Sequence, residues 1–348
     1  MSRKNLFLTL FLLAVFSPLK AATKPLNVVT TLPDYARFVG EIGRDRVSVR
    51  NIVLGDQDAH FVRPKPSFVN MVRKADVLIT TGLDLELWVP TIIDKSGNTR
   101  VRSGRFGYVA VSKGINLLEK PKLMSRSEGG LHIYGNPHIT SSPLNMRTVM
   151  KNIAYGLIKN DPENKKFYLK NLKTLQDKLD KKLFGSKLVK ILGGDLLVKL
   201  AEEEKLIPFL RSKKYQNEPL INYLGGWMEE MMPLRGEKIA TYHKNWVYFL
   251  RLFGLEEAGT IEPKPGIPPS PKHVSRLIET MKKKGVKVIL AASYFDRQKI
   301  NSVAARVGAQ TVIVPVYSGA LQETPDYFSL VDYWISSLKK AFACAYEK

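Results

Sequence analysis

The residues best equipped for chemistry in this chain are its histidines, and there are only five: His60, His132, His138, His243 and His273. A neutral imidazole carries a nitrogen lone pair and titrates near neutrality. Its usual tasks are proton transfer and coordination of Zn, Cu, Ni or Fe rather than Mg or Ca. No short-range motif ties these five together. The sequence has no His-Glu-x-x-His, no Gly-x-Ser-x-Gly and no Walker-type phosphate loop. What three of them share is position. His60 falls in the turn-rich loop 55-GDQDAHFVRPKP-66 after a β-branched run. His138 falls in 134-YGNPHITSSPLN-145 ahead of a helical stretch, and His243 directly follows the run 239-IATY-242. In open α/β sheets, ligands gather beyond the carboxyl ends of strands. Two such histidines in one half and one in the other suggest a site in a cleft between lobes. Three imidazoles and a fourth donor make a tetrahedral zinc site; the plainer alternative is that each is a hydrogen-bonded surface residue. His273 sits at a helix start and reads as a surface residue. The lone cysteine, Cys344, can build neither an internal disulfide nor a thiolate metal site.

The elements that must position these residues alternate. Residues 26–32 read as a strand, Pro33 to Ile42 as a helix, 47–54 as a strand, 66–75 as a helix and 77–81 as a strand, with a further strand at 108–111. That order belongs to a βαβ layer. Residues 142–158 form an amphipathic helix. After Asn160-Asp161-Pro162, with proline suited to a first helical turn, a longer helix runs to Leu183. A helical stretch is expected from Val189 to Met232. The second half then repeats the grammar of the first, with strands at 239–242, 258–261, 286–290 and 311–314 between helices, and a closing helix over 327–346. The length of 348 residues suits two domains. The expected division is a signal peptide at 1–21, an N-terminal α/β lobe at 22–161, a linking helix at 162–185 and a C-terminal α/β lobe at 186–348.

The first segment is read as a leader because Arg3 and Lys4 precede the apolar run Leu6–Phe16, followed by the small residues Ala21 and Ala22. That run is too short for a permanent membrane helix, and no cysteine follows it to carry a lipid. The expected location is therefore the periplasm. The formal charge is +22, or about +19 without the leader. So basic a surface raises the question of nucleic acid. Export argues against that partner, and the lysines of 165–182 are spread along a helix with acids between them. Weak contact with an anionic membrane surface stays open.

The segments around the three histidines resemble the metal-binding solute-binding proteins of zinc and manganese ABC importers. Asp58-Ala-His60 followed by 64-PKPS-67 resembles the family's first-ligand loop, and 74-KADVLITTGLDLE-86 the strand and loop after it. The segment 135-GNPHITSSPLN-145 resembles its Asn-Pro-His second-ligand motif. Its third-ligand helix is matched by 242-YHKNWVYFLRLFGLE-256, and the usual continuation by 261-IEPKPGIPPSPKHVSRLI-278. The resemblance covers most of residues 26–340. It implies two βα-sandwich lobes joined by one long rigid helix, with the metal site in the interdomain cleft. It also implies a monomeric receptor that binds zinc through His60, His138 and His243, with Mn2+ or Fe2+ as lesser candidates, and delivers it to a membrane permease. A zinc enzyme using an open three-histidine site, or an adhesin on the same scaffold, are the competing functions.

One feature departs from that family. Its fourth ligand is commonly an acid in a loop after a late strand, and 314-VPVYSGAL-321 holds no carboxylate. Water is the first expectation for the fourth position, with His132, Glu262 and Asp296 as alternatives. Asp58 and Glu262 are candidates to orient an imidazole by accepting its second N–H. Trp246, Tyr134 and Tyr242 are expected to pack the cleft.

Overall fold

The computed structural model describes residues 24–120, 132–264 and 266–347. The expected leader and residues 124–131 of the loop before His132 lie outside the described residues.

The first lobe is built on a parallel four-stranded sheet in the order β2-β1-β3-β4. Its strands are β1 (Leu26–Thr30), β2 (Val47–Asn51), β3 (Val77–Thr80) and β4 (Tyr108–Ala110). Helices α1 (Pro33–Gly43), α2 (Pro66–Arg73), α3 (Val89–Ser96) and α4 (Pro143–Asn160) connect and cover them. Proline in the first turn starts α1, α2 and α4, where its missing N–H costs no helical hydrogen bond. Every residue of β3 is buried, as a strand covered on both faces requires.

A helical segment follows: α5 (Lys165–Phe184), α6 (Ser186–Leu192), α7 (Gly194–Glu202), α8 (Leu206–Ser212) and α9 (Gly226–Met231). The short strands β5 (Lys214–Tyr215) and β6 (Glu218–Pro219) pair antiparallel between α8 and α9. The helical stretch expected over 189–232 is thus made of several helices interrupted by this hairpin. Gln216 and Asn217, at φ 51° and 67°, make the left-handed turn that closes the hairpin. At Gly226 (φ 60°) a Cβ would lie 2.1 Å from the carbonyl oxygen of Lys182, so the chain can pass α5 only as glycine. Pro162–Asn164 forms a 3-10 turn ahead of α5. Leu172, Leu175, Leu179 and Leu183 line the buried side of α5, which packs on α1 and α4 and on α6, α7 and α9.

The second lobe has its own parallel sheet, β10-β9-β7-β8. Its strands are β7 (Lys238–Thr241), β8 (Glu256–Thr260), β9 (Val288–Ala292) and β10 (Gln310–Val314), with helices α10 (Val247–Phe253), α11 (Pro271–Lys284), α12 (Arg297–Val307) and α13 (Tyr327–Tyr346). Taken from its other edge the order is β8-β7-β9-β10. The second lobe thus repeats the strand order of the first.

The lobes are packed directly on each other. Phe38 of α1 meets Tyr327 of α13 edge-on at 5.6 Å, and the Tyr327 hydroxyl donates to the Thr140 carbonyl at 2.9 Å. Ser318, in the loop after β10, donates its backbone N–H to Asp34 of α1 at 3.0 Å. Behind them Trp246 and Trp334, both fully buried, cross at 86° and 5.1 Å. That edge-to-face contact adds to their area burial. Loops after β2, β3, β4, β7, β8 and β9 open toward the resulting cleft, and it is these loops that carry the site.

Candidate metal centre

Four histidines meet there. His60, His132, His138 and His243 each offer a ring nitrogen, and these nitrogens all lie within 4.8 Å of one another. His60 comes from the 3-10 turn Ala59–Phe61 after β2. His132 and His138 come from the segment between β4 and α4, and His243 lies two residues beyond β7. Three therefore belong to the first lobe and one to the second.

Each ring is held from behind. Asp58 caps the Ala59–Phe61 turn by accepting the His60 backbone N–H at 3.0 Å, and the same oxygen accepts from His60 Nδ1 at 2.8 Å. Asp84, just beyond β3, meets His132 Nδ1 at 3.0 Å and accepts the Ile133 N–H through its other oxygen at 3.0 Å. Glu262, just beyond β8, meets His243 Nδ1 at 2.7 Å and accepts the Gly266 N–H at 2.9 Å. His138 faces the side-chain amide of Asn245 at 3.5 Å instead. Asn136 fixes the His138 loop: its Oδ1 accepts the His138 N–H at 2.9 Å, and its Nδ2 donates to the Lys244 carbonyl at 2.8 Å. The second- and third-histidine segments are thereby tied together across the cleft.

With Nδ1 donating to a carboxylate, a neutral imidazole turns a bare lone pair outward at Nε2. His60 and His132 point two such nitrogens at each other, 3.4 Å apart. Bare lone pairs face each other only when a cation or a shared proton sits between them. The Nε2 atoms of His138 and His243 are 3.3 Å apart. A tetrahedral zinc ion with bonds of about 2.0–2.1 Å has nitrogen–nitrogen edges of about 3.3–3.4 Å, so both pairs already stand at that spacing. Burial favours the uncharged rings. It lowers the His138 pKa well below the ordinary value, with the neighbouring imidazoles adding to the effect. Burial also lowers that of His243, against the opposing pull of Glu262. Asp58 is half-buried, which pushes its carboxyl up, but the hydrogen bond and charge of His60 outweigh this and hold it below the usual range. Neutral imidazoles backed by ionised carboxylates are the state a divalent cation needs.

The expected trio is brought together, and the fourth place goes differently from the first expectation. His132 stands there, where water was put first. Glu262 is turned to His243, and Asp296 is exposed and caps α12. Tyr134 does not pack the cleft: it is 54% exposed. Trp246 is buried under it, and Tyr242 stacks on Phe295 at 4.2 Å. His273 is not at the site; its Nε2 meets the Thr260 carbonyl at 2.9 Å. Two supporting residues went unrecognised, Asp84 and Asn245. Asp84 had a usable signal, being an acid just past the end of a β run; Asn245 had none beyond lying two residues from His243.

A two-lobed α/β receptor with a nitrogen-lined interdomain pocket is the class of protein this arrangement defines. The family model described as "ZnuA: Zinc-uptake complex component A periplasmic" matches residues 28–182 and 214–341, and the chain belongs to that family. Similar proteins differ in their metal. The manganese ABC transporter substrate-binding lipoprotein PsaA of Streptococcus anginosus is 26% identical, over 97% of this chain and 97% of its own. The high-affinity zinc uptake system protein ZnuA of Bacillus subtilis (strain 168) is 24% identical over 90% and 86%. The iron ABC transporter substrate-binding lipoprotein MtsA of Streptococcus pyogenes serotype M1 is 28% identical over 90% and 86%. Among solved structures, a zinc-bound 138–173 deletion mutant of ZnuA superposes with a TM-score of 0.67 at 22% identity, covering 91% of this chain and 98% of that one. The chain is thus the substrate-binding component of an ABC-type divalent-metal importer, a partner of a membrane permease and not an enzyme.

Proposed function

We propose that this protein captures zinc in the periplasm, through His60, His132, His138 and His243, and carries it to its permease. The observation that carries this reading is the all-imidazole donor set with two Nε2 pairs at 3.3 and 3.4 Å. Manganese prefers oxygen donors, and none is presented here directly; zinc accepts four nitrogens in a closed tetrahedron. Iron(II) lies below zinc in the usual affinity order for nitrogen sites. The leader-like segment at 1–21 supports export. Among the described residues no helix is long and apolar enough to cross a membrane.

The test is metal analysis of the purified protein together with competitive titration of Zn(II), Mn(II) and Fe(II). Zinc should bind most tightly of the three, with one ion per chain. Manganese binding more tightly than zinc would sink the assignment. Loss of growth on limiting zinc when the gene is deleted would separate import from adhesion.

A lesser proposal concerns the surface. Lys165, Lys166, Lys170, Lys173, Lys178 and Lys181 are all exposed on α5. On a chain this basic, they support weak attraction to an anionic membrane.

A further inference from the structure

Solvent reaches the four rings unevenly. His60 and His132 are half-buried, whereas His138 and His243 are buried. An ion therefore approaches and leaves the cluster on the side where His60 and His132 stand. The residue after His60 is Phe61, the last of the 3-10 turn Ala59–Phe61. Its ring lies 5.9 Å from that of His60. The residue is 65% exposed, so it is no part of the core of its own lobe.

What that ring touches belongs to the other lobe. A Cβ placed on Gly266 would lie 2.9 Å from Cζ of Phe61 and 3.5 Å from Cε1. The tip of the ring thus stands against the bare α-carbon of this glycine. Gly266, at φ 72°, is a position that a larger residue would both strain and overfill. It belongs to the turn Lys264–Ile267, in which the Ile267 N–H donates to the Lys264 carbonyl at 3.0 Å. One oxygen of Glu262 accepts the Gly266 N–H at 2.9 Å, and the other meets His243 Nδ1 at 2.7 Å. The turn is thereby fixed to the second-lobe histidine, as Phe61 is fixed to His60 by the chain itself. The lobes cannot part at His60 and His243 without lifting Gly266 off the ring.

We propose that Phe61 and the Lys264–Ile267 turn form a latch beside the entrance to the metal site, and that the ring sets the rate of metal exchange rather than the affinity. The latch rests on the reading of the four histidines as the metal site. Its contact uses no ligand atom, so it is made with the site empty or filled. A contact of equal strength in both states holds the closed form against opening in both. It slows entry and departure by the same factor and leaves their ratio, the dissociation constant, unchanged. Its consequence is that cargo is kept longer from competing chelators than the affinity alone would provide.

Stopped-flow mixing of the full-length protein with Zn(II), and transfer of bound zinc to an excess of a chromophoric chelator, read the two rates. Phe61→Ala should speed both by about fivefold, as loss of a small apolar contact would. Phe61→Leu, which keeps part of that contact, should fall between the variant and wild type. Phe106→Ala removes a similarly exposed ring that lies before β4, and should change neither rate. Zinc affinity by competition titration should be the same in all four proteins. Unchanged rates in Phe61→Ala would overturn the latch. Faster loss alone, with affinity falling in proportion, would also overturn it and make Phe61 a support of the filled site only. A wild-type protein that takes up no zinc would instead remove the metal site, and the latch with it.

Discussion

At the residue scale, the site depends on which side chains face the ion and which stand behind them. Replacing His132 by Ala removes the donor that fills the fourth position. Zinc affinity should fall further than for any change behind a ligand, and selectivity for zinc over manganese should narrow as water takes the vacated place. Competition against a chromophoric chelator checks both, and an unchanged affinity would take His132 out of the site. Glu262→Gln keeps the size of the side chain but loses the ionised acceptor on His243 Nδ1 at 2.7 Å. A loss of about 10–100-fold is expected by the same assay.

Much of this was legible in the sequence. His60, His138 and His243 stood out through their places after β runs, and Asp58 and Glu262 could be named as acids able to orient them. The identity of the fourth donor was not legible. His132 joins the cluster with Asp84, 48 positions away in the chain, holding its ring, and no local pattern records that contact. Asn245 was invisible for the same reason. Its role lies in facing a ring 107 positions away.

At the scale of elements, the loop after β10 explains what became of the missing carboxylate. In place of an acid it presents Ser318, and it docks on the first turn of α1 through the Asp34 contact at 3.0 Å. Gly55 lets the first lobe approach this loop closely, since a Cβ there would lie 2.5 Å from the Ala320 nitrogen. Asp34 is fully buried, and its Oδ2 has no hydrogen-bond partner. Burial, opposed by Ser318 and Arg37 and aided slightly by Asp326, pushes its pKa up from 3.8 to about 6. The folded protein therefore binds this proton more readily than the unfolded chain does. Stability from this group is greatest below about pH 4, falls as pH rises toward 6, and stays reduced above it, at a cost of about 3 kcal/mol. Asp34→Asn keeps an acceptor for the Ser318 N–H and removes the charge. It should raise the melting temperature at pH 7.5, and the gain over wild type should vanish near pH 4. No gain at pH 7.5 would refute the argument. The comparison must be between the two proteins, because His138 and His243 act the other way: their lowered pKa values remove stability as pH falls below 6.5.

The alternation of strands and helices was readable because each buried strand is a short β-branched run between turn residues. The breaks within 189–232 were not, because Gly226 is demanded by the nearby Lys182 carbonyl rather than by its own neighbours in sequence.

At the scale of the molecule, an ion held by histidines far apart in the chain would bind the folded protein and not the unfolded one, so it should stabilise the fold by mass action. Zinc at a hundred times its dissociation constant should add about 2.7 kcal/mol, visible as a rise in melting temperature that His243→Ala reduces. A full shift retained in that variant would place the ion elsewhere. The basic surface predicts that the protein sediments with vesicles containing phosphatidylglycerol at low salt. It should release at 0.5 M salt, where the Debye length is shorter than the roughly 8 Å of physiological solution. Binding unaffected by salt would exclude electrostatic attraction.

The cluster is unequally shared, with three imidazoles on one lobe and one, His243, on the other. A rotation that parted the lobes would therefore break a single bond between the ion and a ring nitrogen. The ion would remain on the first lobe as a three-coordinate complex, one short of saturation and open on the side that His243 has left. A donor on the permease could enter there before any other bond is given up, and hand-over would then proceed by exchange of ligands one at a time.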